Sequence, residues 1–360
     1  MSSPLGKFAS FSAAAILVFA VSVSVHAASL TAEQEAECKK LGIDEKQITE
    51  LIDKPLYKCN ESEVDTYLKF LSATEPDLRK RILNIARKNI GQPYELYLLG
   101  EMPFEPYDPQ PIYCLGKSDC LVFTEHTYAM ALSHNWPSFM MMLQRIRYRD
   151  GHMGVATRNH YTEADWNISN NWLVEDITKE LAGDATKKFS EKIDRSKFLK
   201  NRYGLTVSIP VENHEDEYIP YEKIDLARDQ LQDGDFVNIV RATVKHNNSK
   251  QNDIFGGSAF VGHVGLIGHG ADGTVHLIHS TEPKVREEPI DEYIKRATKD
   301  LAKLDDAGKP RLVGFKFLRL REEPLKNLQK VDGAEAPKVT LPNGQGAAFD
   351  GAITTPESKR

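Results

Sequence analysis

Residues 118–132 read Ser-Asp-Cys-Leu-Val-Phe-Thr-Glu-His-Thr-Tyr-Ala-Met-Ala-Leu, and this stretch decides the fold. From Leu121 to Leu132 the residues are apolar on most faces, which predicts a helix buried in the core. Asp119 is a good N-cap residue, so Cys120 takes the first helical position with the positive end of the helix dipole beside its sulfur. A thiol attacks only as thiolate, and a helix N-terminus and a nearby imidazole are two means of lowering its pKa. A cysteine in this position is equally at home packed or bridged, so the reading turns on what else the chain brings.

On the N-terminal side, residues 28–77 read as a helical segment, with Ser62 and Asp65 marking one helix start. Pro76-Asp77 starts the next helix, whose Leu78, Ile82, Ile85 and Ile90 approximate a 3.6-residue stripe ended by Gly91. Gln92-Pro93-Tyr94 then leaves in an extended conformation, because proline disfavours the helical region for the residue before it. On the C-terminal side, Asn135-Trp136-Pro137 ends the Cys120 helix, and Phe139, Leu143 and Ile146 continue an amphipathic pattern. Residues 151–230 show little periodicity and read as an insertion of short strands and loops.

Strand patterns follow. Asp233-Gly234-Asp235 turns into Phe236–Val240; Val261–Gly268 and Thr274–Ser280 form a hairpin around Gly270-Ala271-Asp272-Gly273; Val313–Leu320 closes the sheet. The expected architecture is α+β, an antiparallel sheet of five or six strands with the Cys120 helix packed against it, since no βαβ alternation is evident. Side chains alternate along strands, and positions 263 and 279 are centred on the turn, so His263 and His279 are expected across from each other. Cys120 would then be the nucleophile, His263 the general base and acid, His279 the group that orients it, and the Cys120 amide and Tyr94 hydroxyl the donors to an oxyanion.

Bulk properties set the frame. Lys7, the apolar run Ala13–Val21 and Val25-His26-Ala27 form a secretory signal over residues 1–27, too short in its apolar core for a bilayer span. The net charge is −6 over 360 residues with no basic block, which argues against nucleic acid as a partner, and no other segment could span a membrane. Export permits disulfides among Cys38, Cys59, Cys114 and Cys120. The preferred pairing is Cys38 with Cys59, leaving Cys120 free; pairing Cys114 with Cys120 would block it. Residues 331–360, poor in large apolar side chains, read as a disordered tail.

Gly91-Gln92-Pro93-Tyr94, Asp119-Cys120-Leu121-Val122-Phe123, Asp233-Gly234-Asp235-Phe236-Val237, Gly262-His263-Val264-Gly265-Leu266 and Leu277-Ile278-His279-Ser280 occur in the order seen in the NlpC-type, papain-like cell-wall hydrolases, which the chain resembles. Arg147-Tyr148-Arg149-Asp150-Gly151, Thr157-Arg158-Asn159-His160-Tyr161 and Asp165-Trp166 make it similar to a narrower group, the N-acetylmuramoyl-L-alanine amidase-like family, over residues 78–325. The resemblance implies Cys120, His263 and His279 as the site, Tyr94 lining it, and no metal or other cofactor. It also implies peptidoglycan or its muropeptide fragments as the substrate, cut between the muramic lactyl group and L-alanine, outside the cytoplasm. Arg158, His160 and Trp166 read either as contacts to that substrate or as packing and salt-bridge residues of the insertion. Three alternatives stay open: cleavage of the γ-D-glutamyl bond instead, a peptidoglycan-binding module without catalysis, and a zinc site of His160, His263 and His279.

Overall fold

A computed structural model describes residues 30–243, 256–299 and 311–333. The expected signal over residues 1–27 lies outside these, as does the tail beyond Gly333. Six helices of nine residues or more precede the first strand among the described residues: α1 (Ala32–Leu41), α2 (Glu45–Asp53), α3 (Glu61–Thr74), α4 (Leu78–Lys88), α5 (Cys120–Ala131) and α6 (Trp136–Arg147). Capping fixes their starts: Asp77 accepts from Arg79 and Lys80 at α4 as the sequence implies, and Asn135, read as the end of the Cys120 helix, also closes a capping box with Ser138 at α6. At α3 the box is made by Asn60 and Glu63 rather than Ser62 and Asp65, and Ile90 lies past the end of α4, largely exposed. The C-terminal end of α2 is tied to α4 by Lys88, whose ammonium donates to the carbonyls of Leu51, Ile52 and Lys54 at 2.7–2.8 Å; burial pulls its pKa down to about 8.

The described strands are β1 (Val174–Asp176), β2 (Lys187–Ile193), β3 (Glu212–Pro220), β4 (Phe236–Ala242), β5 (Gly256–Gly257), β6 (Ala259–His269), β7 (Val275–His279), β8 (Arg286–Pro289) and β9 (Leu312–Leu320). They form one sheet in the order β5-β2-β3-β9-β4-β6-β7-β8, with β1 added to β9, and every pair is antiparallel. The fold is therefore α+β as expected, with nine described strands instead of five or six. The insertion supplies three of them, and β2 and β3 pair over seven residues.

Adjacent residues of the central strands part to opposite faces. Phe236, Leu266, Ile278 and Leu318 join one core with α1–α6, while Val237, Ile267, Leu277 and Phe317 join a second with the helix Ile290–Lys299. Both faces of the sheet are covered, which is why these strands read as unbroken apolar runs. The N-terminal helices are continuous with the rest: Cys38, Ile48 and Leu68 share the core of Phe123 and Trp166. All four cysteines are free, so neither the Cys38–Cys59 nor the Cys114–Cys120 bridge is present; Cys38 and Cys59 serve as small apolar groups in this core. A further helix not foreseen in the sequence, Pro324–Gly333, follows β9 and carries Leu328 into the same core, overlapping the start of the stretch expected to be disordered. No helix among the described residues is long and apolar enough to cross a membrane.

Candidate active site

Helix α5 brings Cys120 to the sheet. Its residues Val122–Ala131 are all buried, so the helix is fixed on every side, and the Asp119 carboxylate accepts from Val122 N at 2.8 Å to cap it. The loop before the helix is stitched to both neighbouring segments. Ser118 N donates to Pro93 O and Glu95 N to Ser118 O, each at 3.1 Å; Tyr94 N reaches Pro283 O at 3.0 Å. The buried hydroxyl of Ser118 donates to Gln92 Oε1 at 2.7 Å, and that of Ser280 to Ser118 O at 2.8 Å. The sequence motifs around Tyr94, Cys120 and His279 are thus joined by hydrogen bonds of residues that sequence reasoning did not single out.

Strand β7 pairs with β6 only from Leu266↔Ile278 to His269↔Val275, leaving the β6 edge before Leu266 uncovered by it. Helix α5 packs on β6 here, and the Val264 N–H favours the Cys120 thiolate. This register also corrects an expectation. It puts Gly265, not His263, opposite His279, so the two histidines meet on the diagonal of one face, which is within reach of such side chains. Gly265 makes the contact possible, since a Cβ there would lie 2.8 Å from Leu277 Cδ1 and 3.1 Å from His279 Cβ. The rings approach with His263 Nε2 2.7 Å from His279 Nδ1, and His279 Nε2 stands 2.9 Å from Glu288 Oε1 on β8.

Protonation follows from the partners. Glu288, held below the usual carboxylate range by His279 and Arg296 despite its burial, is an acceptor only, so His279 Nε2 carries the proton. Burial depresses the His279 pKa and keeps the ring neutral, so its Nδ1 accepts and His263 Nε2 must donate. The relay leaves His263 Nδ1 as the basic nitrogen of that ring. The third member, Glu288, was not legible in the sequence, because β8 is four residues of mixed charge with no alternation.

The thiol itself departs from expectation. Burial first, and the Asp119 carboxylate second, push Cys120 up to about 12, outweighing the Val264 N–H and the Arg241 charge that favour thiolate. Burial likewise pushes the Tyr94 hydroxyl up, so it remains a donor, with Cys120 among the groups it senses. The site at rest therefore holds a neutral thiol, with a neutral His279 behind His263.

A cavity of about 580 Å³ opens on the other flank of the α5 N-terminus, lined by Asp119, Leu121, Val122, Arg158, His160 and aromatic rings including Tyr97, Phe198 and Tyr203. Among the candidate contacts, Trp166 is fully buried, donates its indole N–H to Glu125 at 3.2 Å and packs 4.5 Å from the Phe236 ring; it cannot reach a substrate. Arg158 lines the cavity, yet its guanidinium is held by Glu101 at 2.5 Å and Asp108 at 3.0 Å, which makes it a salt-bridge residue of the scaffold. His160 stands in the cavity wall with Nε2 2.7 Å from Val155 O and its ring against Phe198 and Tyr203; burial pulls its pKa down to about 3. It is not brought to His263 and His279, and among the described residues no cluster of three or more His, Cys, Asp or Glu side chains is placed to hold a metal. The two narrower motifs pair with each other through Tyr148↔Arg158, and Arg147 from the first is buried 2.9 Å from Glu125.

Residues 84–300 match the family model described as AmiA-like, N-acetylmuramoyl-L-alanine amidase-like. Among solved structures, the chain is similar to a Legionella pneumophila protein assigned to the family DUF1460, at 20% identity and a TM-score of 0.61 over 72% of this chain and 94% of that one. It is also similar to an N-acetylmuramoyl-L-alanine amidase from Bacteroides uniformis, at 23% identity and a TM-score of 0.49 over 68% of this chain and 99% of that one. No curated protein matches it. With more than half of its length matched by the family model, the chain belongs to the AmiA-like, N-acetylmuramoyl-L-alanine amidase-like family of cell-wall hydrolases.

Proposed function

We propose that the protein is an exported cysteine amidase of papain-like, NlpC type that cleaves the amide between the muramic lactyl group and L-alanine of peptidoglycan. The observation that carries this reading is the hydrogen-bonded series His263–His279–Glu288, which begins on β6 one residue before Val264, whose N–H favours the Cys120 thiolate. A general base oriented by a second group, next to a nucleophile at a helix N-terminus, is what acyl transfer needs.

Because the resting thiol is held neutral, its proton leaves as the bond forms: Cys120 Sγ attacks the lactyl carbonyl carbon while His263 Nδ1 takes the thiol proton. The Cys120 amide at the α5 N-terminus and the Tyr94 hydroxyl stabilise the oxyanion. His263 then passes its proton to the alanine nitrogen, the C–N bond breaks, and a thioester remains on Cys120. Water, deprotonated by His263, hydrolyses it to the lactyl carboxylate and restores the thiol. The aromatic-lined cavity beside Asp119 and Leu121, whose lining does not include His263, takes the muramoyl side. Mass spectrometry of digested muropeptides tests the bond: free saccharide with an intact stem peptide is expected, and an L-Ala-D-Glu stub left on the sugar rejects it.

A further inference from the structure

The β4–β6 ladder carries a bulge beside the candidate base. Ile239 pairs with His263 and Val240 with Val261, so Gly262 is an extra residue with no partner. Bulges next to active sites re-aim side chains, and this one has a definite neighbour. A Cβ on Gly262 would lie 2.6 Å from Arg241 Cδ, 3.2 Å from Arg241 Cγ and 3.2 Å from Phe260 Cε2, so the stem of Arg241 lies flat over the glycine. Along β4, Ile239 and Arg241 share a face, and His263 stands opposite Ile239 on that same face. Arg241 is therefore placed next to His263.

The guanidinium charge reaches the reaction centre. Its charge is felt at both the Cys120 sulfur and the Tyr94 hydroxyl, and it favours the ionised form of each. The ion pairs among the described residues do not include it. Its cationic neighbour Arg311, whose carbonyl accepts from Ala242 N at 2.8 Å, adds charge of the same sign. An arginine outside the ion pairs of the described residues, beside a candidate general acid, suits an anion carried by the leaving group, because the general acid must itself touch the leaving nitrogen.

We propose that Arg241 binds the free α-carboxylate of the residue after L-alanine in the leaving peptide, so that stems bearing that carboxylate are selected over stems in which it is amidated. This rests on the muramoyl–L-alanine cleavage proposed above. It assigns to the bulge at Gly262 the task of leaving room for the arginine stem.

The test uses two synthetic substrates, N-acetylmuramoyl-L-alanyl-γ-D-glutamyl-L-lysine with the glutamyl α-carboxyl either free or amidated. A charge-assisted hydrogen bond of about 1.5–3 kcal/mol corresponds to about a 10- to 100-fold preference in kcat/KM for the free acid. In Arg241→Leu the ratio of the two kcat/KM values falls to about one, and Arg241→Lys keeps part of it. Gly262→Ala, which displaces the arginine stem without removing the charge, lowers the ratio independently. A wild-type ratio near one, or a ratio that survives Arg241→Leu, overturns the inference. Titration calorimetry of Cys120→Ala with the two free tripeptides separates this from the reaction itself. Arg241-dependent discrimination there, without cleavage of either substrate, rejects the bond assignment and keeps the arginine; no discrimination rejects the arginine.

Discussion

The corner around Cys120 and the ionic layer beneath the neighbouring cavity meet at the N-terminus of α5, and they are built in opposite ways. The corner has few groups: His263, His279 and Glu288 are aligned one after another, each offering one atom to the next, and Cys120 sits by the Val264 N–H of the same strand as His263. The layer, made from the segments richest in family-like sequence, is a closed set of buried ion pairs: Arg147 with Glu125, Arg158 with Glu101 and Asp108, Arg195 with Asp165. Density of charged motif residues marks the scaffold, whereas the proposed reactive corner is marked by backbone features: a helix start, a strand that ends early, and two glycines. Variants in the two regions should accordingly fail in different ways.

The largest expected effect is in the corner. His263→Ala removes the base and lowers kcat by about 10²- to 10⁴-fold while the melting temperature stays within a few degrees, read by steady-state kinetics and calorimetry. In the layer, Arg147→Met leaves Glu125 buried without its cation and costs about 3–5 kcal/mol of stability by denaturant unfolding. Its folded fraction retains kcat. If Arg147→Met left stability untouched and abolished turnover, the division between the regions would be wrong.

Glu288→Ala tests the far end of the relay. Without the acceptor for its Nε2 proton, His279 no longer fixes which nitrogen of His263 is basic. A loss of about 10- to 100-fold in kcat is expected, smaller than for the base itself, together with a displaced pH profile that a purely structural change would not give.

The smallest effect is a pH dependence of stability. His126 on α5 is buried with Nε2 lacking a partner, and burial pulls its pKa down to about 4. Its folded pKa lies below the unfolded value of about 6.5, so the unfolded chain binds more protons through this window and stability is lost as pH falls from about 6.5 towards 4. The slope contributed is at most about 1.4 kcal/mol per pH unit, and His126→Gln should flatten the curve of unfolding free energy against pH.

Much of the fold was legible because local signals agreed with burial. Asp77 and Asp119 cap the helices they appear to cap, and the apolar runs of β4, β6, β7 and β9 have a core on both faces. The insertion was not legible, for a physical reason visible in β2. Its inward positions are Phe189, Glu191 and Ile193, and a carboxyl interrupts the alternation that would have announced a strand. Glu191 is tolerated there because burial and the neighbouring Glu163 push its pKa up to about 10 and keep it neutral. At the site, the cysteine and both histidines could be nominated, but their register depended on Gly265, and Glu288 and Arg241 are charged residues on strands whose faces only the folded sheet defines.

The account stands most directly on Cys120. Wild type and Cys120→Ala, digesting muropeptides side by side with matched melting curves, are expected to differ completely: wild type releases saccharide and intact stem peptide, and the variant releases nothing. Release of the same products by folded Cys120→Ala would contradict it.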